Sequence, residues 1–390
     1  MSTVPESIAD QPISASMGCR ITRVETIPVG IPFKKKFEIA TGGARAGVSV
    51  MLVRLHTSEG VCGIGETQAW MRQGSCETIA SLHAVINDHF APRLVGRSPF
   101  DIAAIMADLD RSVWHSNYAQ AAISDALLDL QGKLLGVPVY QLLGGKCRDR
   151  LAGCATLGIR TDPQETIDEG EAWYENGYRS FTIKVGNDPA NDANTVIAFA
   201  RHFGDKVILR ADGNSGMTFD QAVQFSSKVS DLGLDGLEQL VEPWDIDGMA
   251  ELARRFNISY IADESVSSEH DLLTVIKRRA ATAFQTKIAK NGGIWNCRKL
   301  WQLGAAAGMR IFPGNHPGCS IVTASVAHLA AAWPGDLPEG PFAVGISGLI
   351  GEDVVTNPIT MDGPYVTVSD APGLGLDLDE KQIARLRIDA

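Results

Sequence analysis

Two patterns of apolar and polar positions follow one another along the chain. Residues 21–31, ITRVETIPVGI, and 48–67, VSVMLVRLHTSEGVCGIGET, have the β-branched, alternating character of strands, and Ser58-Glu59-Gly60 predicts a hairpin turn in the second. From about Cys76 to Leu135 the apolar residues recur at helical spacing, as in AQAAISDALLDLQGKLLG (119–136), which stops at Gly136 before Val137-Pro138. Strands first and helices after is the order of an α+β unit. From Leu151 short β runs alternate with amphipathic stretches such as NDANTVIAFARHFG (191–204) and FDQAVQFSSKVSDLG (219–233). The β runs are LAGCATLGI, RSFTIKVG, KVILRADGN, LDGLEQL, ISYIADES, AFQTKIAKNGG, MRIFPGN and, weakest, FAVGISG (342–348). Eight strands alternating with helices predict a parallel α/β barrel or a doubly wound sheet. No Gly-x-Gly-x-x-Gly follows the first strand, which favours the barrel.

These patterns divide the chain. Residues 1–20 read as a disordered tail, 21–145 as an α+β domain, and 146–365 as the β/α barrel, with Gly144-Gly145-Lys146 at the junction. The stretch beyond the eighth strand, 366–390, is expected to pack back on the first domain. Residues 1–20 contain no apolar core of a secretory signal, and no run of about eighteen apolar residues exists to span a membrane.

Composition narrows the partners. The 390 residues are 45% hydrophobic and 21% charged, which fits a globular protein and excludes disorder as the main state. Thirty-five Lys and Arg against 46 Asp and Glu leave a net charge of −11, so the chain has no global attraction for nucleic acid or anionic lipid. The cysteines, at 19, 62, 76, 147, 154, 297 and 319, form no Cys-x-x-Cys or Cys/His cluster. Neither a disulfide framework nor a zinc site is indicated, and a reducing cytoplasm is the expected setting.

The chemistry lies at the strand ends. Lys184 ends the second barrel strand, Asp212 the third, Glu238 the fourth, Asp263 the fifth and Lys287 the sixth, at separations of 28, 26, 25 and 24 residues. Each step is one strand, one helix and two short loops, so all five are expected at similar height on the C-terminal face, where barrels carry their active sites. Three neighbouring strands then bring three carboxylates into one arc, and two lysines four strands apart face each other across the mouth. Such carboxylates repel one another unless a cation sits among them. Oxygen-only ligands select Mg²⁺, or Mn²⁺, over Zn²⁺. A metal flanked by opposed lysines suits removal of a proton α to a carboxylate, the cation stabilising the enediolate while the lysines remove and return the proton. Taken singly, each residue has a plainer reading: Asp212 in an Asx turn, Glu238 at a solvated strand end, Asp263 as a helix cap, the lysines as snorkelling barrel residues. The matched spacing of all five is what argues for chemistry.

The same pieces carry a resemblance. Thr182-Ile183-Lys184-Val185-Gly186, Asp212-Gly213-Asn214, Leu237-Glu238-Gln239-Leu240, Ile261-Ala262-Asp263-Glu264-Ser265 and Lys287-Ile288-Ala289-Lys290-Asn291-Gly292-Gly293 resemble the enolase superfamily. Within it they look like the muconate-lactonizing subgroup of the mandelate racemase and muconate cycloisomerase family. The resemblance implies a modified TIM barrel of (β/α)7β type, with an N-terminal α+β capping domain that closes the mouth and reads the substrate. It implies Asp212, Glu238 and Asp263 as metal ligands, Lys184 as the second lysine of a Lys-x-Lys motif, Lys287 as the opposing lysine, and a homo-oligomer. Glu242-Pro243 imitates the family's Glu-Gln-Pro, but spacing selects Glu238, followed by Gln239 and then Leu240 in place of the proline. Two departures stand out. Thr182 replaces the first lysine of Lys-x-Lys, removing a like charge that would depress the pKa of the base. No acid corresponds to the one that cycloisomerases of this subgroup carry near the last strands.

Other residues are secondary. Asn214 and His316 are candidate substrate contacts, and Glu264 and Lys290 read as supporting structure. The loop Phe33–Gly43 and the segment Trp70–Ser75 resemble the two capping loops, whose basic and aromatic residues point to a second anionic or polar end on the substrate, although three consecutive lysines are usually a solvated face. The expected function is thus metal-dependent proton abstraction from a small-molecule carboxylate, by a racemase, epimerase or cycloisomerase. β-Elimination by a dehydratase and a metal-independent Schiff-base aldolase are the alternatives.

Overall fold

The computed structural model describes residues 18–40, 43–69 and 77–389, apart from the side chains at 37–39, 43 and 44. Most of the expected tail, the Trp70–Ser75 segment and residues 41–42 of the first capping loop lie outside the described residues.

The first domain opens with an antiparallel meander, β1 (Ile21–Ile39), β2 (Gly43–Thr57) and β3 (Cys62–Gln68). Four helices follow, α1 (Ile79–Ala84), α2 (Ala91–Leu94), α3 (Ile102–Ser112) and α4 (Asn117–Leu135), and a short α5 (Val139–Leu142) completes the domain. Helix α4 stops at Gly136, whose φ of 69° is the left-handed conformation glycine adopts freely. The meander and α4 touch backbone to backbone. A Cβ on Gly63 or Gly65 would lie 2.2 or 2.0 Å from the carbonyl oxygen of Ala126 or Ala122. Because α4 is sandwiched between this sheet and the barrel, it is buried almost all round, including Asp125 and Asp129.

In the second domain seven parallel strands lie side by side in chain order: β5 (Ala155–Leu157), β6 (Ser180–Lys184), β7 (Ile208–Asp212), β8 (Gly236–Glu238), β9 (Tyr260–Ala262), β10 (Ala283–Lys287) and β11 (Arg310–Gly314). The helices between them are α6 (Pro163–Glu175), α7 (Pro189–Phe203), α8 (Phe219–Val229), α9 (Ile246–Arg255), α10 (Glu269–Arg278) and α11 (Gly293–Ala306), with α12 (Ser320–Ala331) after β11. Side-chain caps start most of them, including the Thr218/Gln221 box on α8 and the Ser268/Asp271 box on α10.

The eighth run departs from expectation. FAVGISG forms no ladder strand; Gly345–Leu349 makes a π-helical turn instead, with Gly348 at φ 112°. The seam between β11 and the start of the barrel is closed a few residues earlier, where Gly340 bridges Gly153. A Cβ on Gly340 would stand 1.9 Å from the Pro313 carbonyl oxygen, so only glycine fits there.

A small antiparallel sheet joins β12 (Met361–Asp362), β13 (Tyr365–Thr367) and β4 (Arg150–Ala152). The C-terminal segment then runs along the first domain and includes α13 (Glu380–Leu386). Leu374 N donates to Asp129 Oδ1 (2.8 Å), Arg54 pairs with Glu380 (2.6 Å), and Ile388 N donates to the Pro28 carbonyl (3.2 Å). Among the described residues no helix is long and apolar enough to cross a membrane.

Candidate active site

Strand register places the five strand-end residues on one face. Lys184, Asp212 and Glu238 are consecutive ladder partners across β6, β7 and β8. Following the ladder from Glu238 leads to Ile261 on β9 and Ala283 on β10, so Asp263 stands two residues further along and Lys287 four. Even offsets keep every side chain on the same face. Four residues gained over four strands is one per strand, the stagger that strand tilt imposes on an eight-stranded barrel of shear about 8. Equal height in a tilted barrel therefore requires this climb, and the shortening separations in the sequence do not show it.

Asp212, Glu238, Asp263 and Lys287 are buried, and Lys184 is partly so, its side chain 11% exposed. Lys184 Nζ donates to Asp212 Oδ2, and Lys287 Nζ donates to Asp263 Oδ2 at 2.5 Å. Lys290 Nζ reaches Asp263 Oδ1 at 3.0 Å from the other side. Burial works to lower the pKa of the Lys184 ammonium, yet the charges of Asp212 and Glu238 hold it above its ordinary value. Lys287 is raised in the same way against burial, chiefly by Asp263. Asp263 is held far below the usual carboxylate range: burial opposes, and the charges of Lys287 and Lys290 prevail. Glu238 behaves oppositely. Burial and the adjacent charges of Asp212 and Asp263 push it well above a normal glutamate, and its Oε1 has no hydrogen-bond partner.

The backbone around these carboxylates is held by amides and a third lysine that sequence reasoning either missed or ranked low. Gln239, at φ 34°, accepts from Asp263 N (3.0 Å) and Ser265 N (3.2 Å) and donates to Ser265 Oγ (2.8 Å). The fully buried Lys290 donates to the carbonyls of Asp263, Val266 and Gln285 at 2.5, 2.8 and 3.2 Å. Asn291 Oδ1 accepts from Lys287 N at 2.8 Å. For Gln239 the signal was only its place after Glu238; for Lys290, its place three residues after Lys287.

Asn214 lies beside the arc. Its backbone N–H donates to Asp212 Oδ1 (2.8 Å) and its side chain to Glu264 Oε1 (3.0 Å). Burial, aided by the charge of Asp263, pushes Glu264 up to about 7. His316 is buried two residues past the Lys287 partner Gly314 and stacks on Tyr118 of α4 at 5.7 Å and 18°. Burial and then the Lys287 charge hold its pKa well below the ordinary value, so the imidazole is neutral. Thr182 Oγ1 lies 3.2 Å from Cys154 Sγ. Its ladder partner Arg210 is engaged with Ser180 (2.8 Å) and Asp235 (3.2 Å).

The donor set bears on a metal. Among the described residues no three acidic, His or Cys side chains stand together as a ready metal cluster. The outer two carboxylates of the arc are taken by lysine ammonium groups. In chemistry the set nonetheless fits a hard divalent cation: three buried carboxylates and no softer ligand, with an orphan oxygen on the central one.

Comparison with known proteins gives the family. Residues 21–144 match the family described as mandelate racemase / muconate lactonizing enzyme, N-terminal domain, and 165–382 match the enolase C-terminal domain-like family. The chain is 34% identical to chloromuconate cycloisomerase of Cupriavidus pinatubonensis over 92% of its own length and 96% of that protein. It is 26% identical to N-succinyl-L-Arg/Lys racemase of Bacillus cereus over 95% of itself and 98% of that protein. It superposes on muconate lactonizing enzyme from Pseudomonas fluorescens complexed with muconolactone with a TM-score of 0.89, at 30% identity, covering 94% and 99% of the two chains.

Proposed function

Since the chain belongs to the mandelate racemase / muconate lactonizing enzyme family of the enolase superfamily, whose isomerases work by abstracting a proton α to a carboxylate through an enolate and generally use a divalent metal, we propose which residues carry that chemistry here. Lys184 and Lys287 are the acid and base, and Asp212, Glu238 and Asp263 hold the cation, Mg²⁺ or in its place Mn²⁺. The cation, when bound, supplies a counter-charge for the enolate and draws carboxylate charge away from the two lysines. The observation that carries the reading is the placement of two lysines on β6 and β10, four strands apart, flanking three buried carboxylates on β7, on β8 and just past β9.

From opposite sides of the mouth, one lysine removes the Cα proton and the other returns one to the opposite face, which inverts the carbon. The neutral His316, stacked on the cap helix, and Asn214 are positioned to contact the substrate. Because Thr182 brings no second ammonium to the β6 face, the proton affinity of Lys184 is governed by burial and by its carboxylate neighbours. We therefore favour racemisation or epimerisation of a small-molecule carboxylate, by a cytoplasmic homo-oligomer. Cycloisomerisation is the second reading, favoured by the relative at 34% identity; against it, the π turn Gly345–Leu349 carries no acid.

The test is deuterium uptake at Cα in D₂O with Mg²⁺ across a panel of carboxylates, with muconate and chloromuconate included for the second reading. Lys184→Ala and Lys287→Ala are each expected to lose inversion by about 10²–10⁴-fold, while each keeps exchange without inversion for one enantiomer. Inversion at wild-type rate in either variant would refute the assignment.

A further inference from the structure

The backbone after β8 departs from a strand at a single residue. Along an extended strand, successive carbonyls point to opposite neighbours. Glu238 obeys this: its carbonyl accepts from Gly213 N on the β7 side (2.9 Å), and the next amide, Gln239 N, donates to the Ile261 carbonyl on the β9 side (3.0 Å). A regular parallel ladder would continue with Asp263 N donating to the Gln239 carbonyl. It does not, because Gln239 has φ 34°, a left-handed conformation that a residue with a side chain rarely adopts. The turn swings its carbonyl to the β7 side instead, where it accepts from Ser215 N at 2.8 Å; the Leu240 carbonyl then accepts from Met217 N at 3.0 Å.

This turn has two effects on the carboxylates. It zips the loops after β7 and β8 together through backbone bonds at Glu238, Gln239 and Leu240, which ties Asp212 to Glu238. It also takes away the ladder acceptor of Asp263, a buried residue whose unpaired amide would be costly. The Gln239 side chain, itself buried, fills that gap. Its Oε1 accepts from Asp263 N (3.0 Å) and Ser265 N (3.2 Å), and its Nε2 donates to Ser265 Oγ (2.8 Å) and the Val241 carbonyl (3.1 Å). Two N–H groups face one end of the amide and a carbonyl faces the other, so the amide has a single orientation. One residue thus bonds to the β7 side through its carbonyl and to the β9 side through its N–H and side chain.

We propose that Gln239 is the positioning residue of the site: its side-chain amide replaces a backbone carbonyl in the β8–β9 ladder and so sets Asp263 in place relative to Glu238 and Asp212. The inference rests on the assignment of those three carboxylates to a divalent cation. Ligands on three separate elements bind one ion tightly only if their spacing is fixed before the ion arrives, and here Gln239 is the side chain that joins the last of them to the other two.

Calorimetric titration of metal-stripped protein with Mg²⁺ tests the role in wild type, Gln239→Met and Gln239→Glu, at a temperature where melts in EDTA show all three folded. Methionine matches the length of glutamine without its hydrogen bonds, whereas glutamate keeps an oxygen for the two N–H groups. Gln239→Met is expected to weaken Mg²⁺ binding by about 10–100-fold, and Gln239→Glu to bind more tightly than Gln239→Met. Gly340→Ala, strained outside the carboxylate loops, is expected to keep the wild-type affinity. Hydrogen exchange in the metal-free protein adds a reading independent of the ion: the amides of Asp263 and Ser265 should exchange faster in Gln239→Met than in wild type. Equal Mg²⁺ affinity in wild type and Gln239→Met, an equal loss in Gly340→Ala, or unchanged exchange at Asp263 would overturn the positioning role. If the exchange difference appears and wild type binds neither Mg²⁺ nor Mn²⁺, the hold of Gln239 on Asp263 stands and the cation assignment falls.

Discussion

Replacing Glu238 by glutamine separates the cost of charge crowding from its use. Asp212 is neutralised by Lys184, and Asp263 by Lys287 and Lys290, whereas Glu238 lies between them, 2% exposed, with an unpartnered oxygen. In metal-free protein the substitution removes a buried like charge and breaks no ion pair. Burial and the like charges of Asp212 and Asp263 disfavour the ionised carboxylate, at about 1.36 kcal/mol per unit of raised pKa, so where Glu238 is ionised the variant should be more stable, by about 1–3 kcal/mol. With a melting entropy of about 2.1 cal/mol/K per residue, a chain of 390 residues gains about 1 °C per kcal/mol, giving a Tm rise of about 1–4 °C. On the proposed assignment the same change also removes a metal ligand. Mg²⁺ at 100 times its Kd adds about 2.7 kcal/mol to the wild type, or about 3 °C, and the variant is expected to show no such shift. Differential scanning calorimetry in EDTA and in excess Mg²⁺ reads both effects. A variant that melts below wild type in EDTA, or that retains the Mg²⁺ shift, would refute the reasoning.

Three further outcomes follow from other contacts. Lys290→Met strands three buried carbonyls and one oxygen of Asp263, so urea unfolding should show a loss of about 3–5 kcal/mol; a loss under about 1 kcal/mol would deny the lysine its structural role. Gly340→Ala drives a Cβ toward the Pro313 carbonyl and should cost about 1–3 kcal/mol or more, read as a lower denaturation midpoint and contradicted by an unchanged one. Burial raises Glu66 from 4.5 to about 7, against hydrogen bonds from Cys319 N, Val322 N and Gln68. Between those two pH values the folded state binds the extra proton, so stability falls as pH rises, by about 3 kcal/mol at about 1.36 kcal/mol per unit. Glu66→Gln should flatten that slope between pH 4.5 and 7.5, and an unaltered slope would place its origin elsewhere.

How much of this was legible in the sequence depends on the range over which each feature is determined. Barrel strands β5 to β11 are legible because they are short apolar runs, most with a polar terminus, set off by helices, and those are local properties. The five site residues are legible for a related reason: one repeat of strand and helix fixes their spacing. The eighth run fails the same test. FAVGISG is apolar, but its shape is decided by Gly345 and Gly348 and by the close approach of Gly340 to Pro313, none of which leaves a periodic trace. The lysine run at 34–36 is exposed, as its composition suggests, but the β1 bulge there and the Lys35–Glu169 ion pair leave no trace in the sequence.

Least legible are the charges that join the domains. Glu66 accepts from Cys319 and Val322 at the start of α12, more than 250 residues away, and Asp125 accepts from Ile294 at the start of α11. A helix start offers unpaired N–H groups and a partial positive charge, so each carboxylate has a partner that no local pattern reveals. Burial pushes Asp125 up to about 6, and Glu66 to about 7. In a strand or helix read by itself, either residue would be assigned to the solvent face. What buries them is the packing of the cap against α11 and α12, the same packing that lays Tyr118 over His316 at the mouth. The cap is thereby fixed to the barrel at two helix starts, so the Lys35–Lys36 bulge and the Tyr118 ring meet the barrel from a cap whose position is already set.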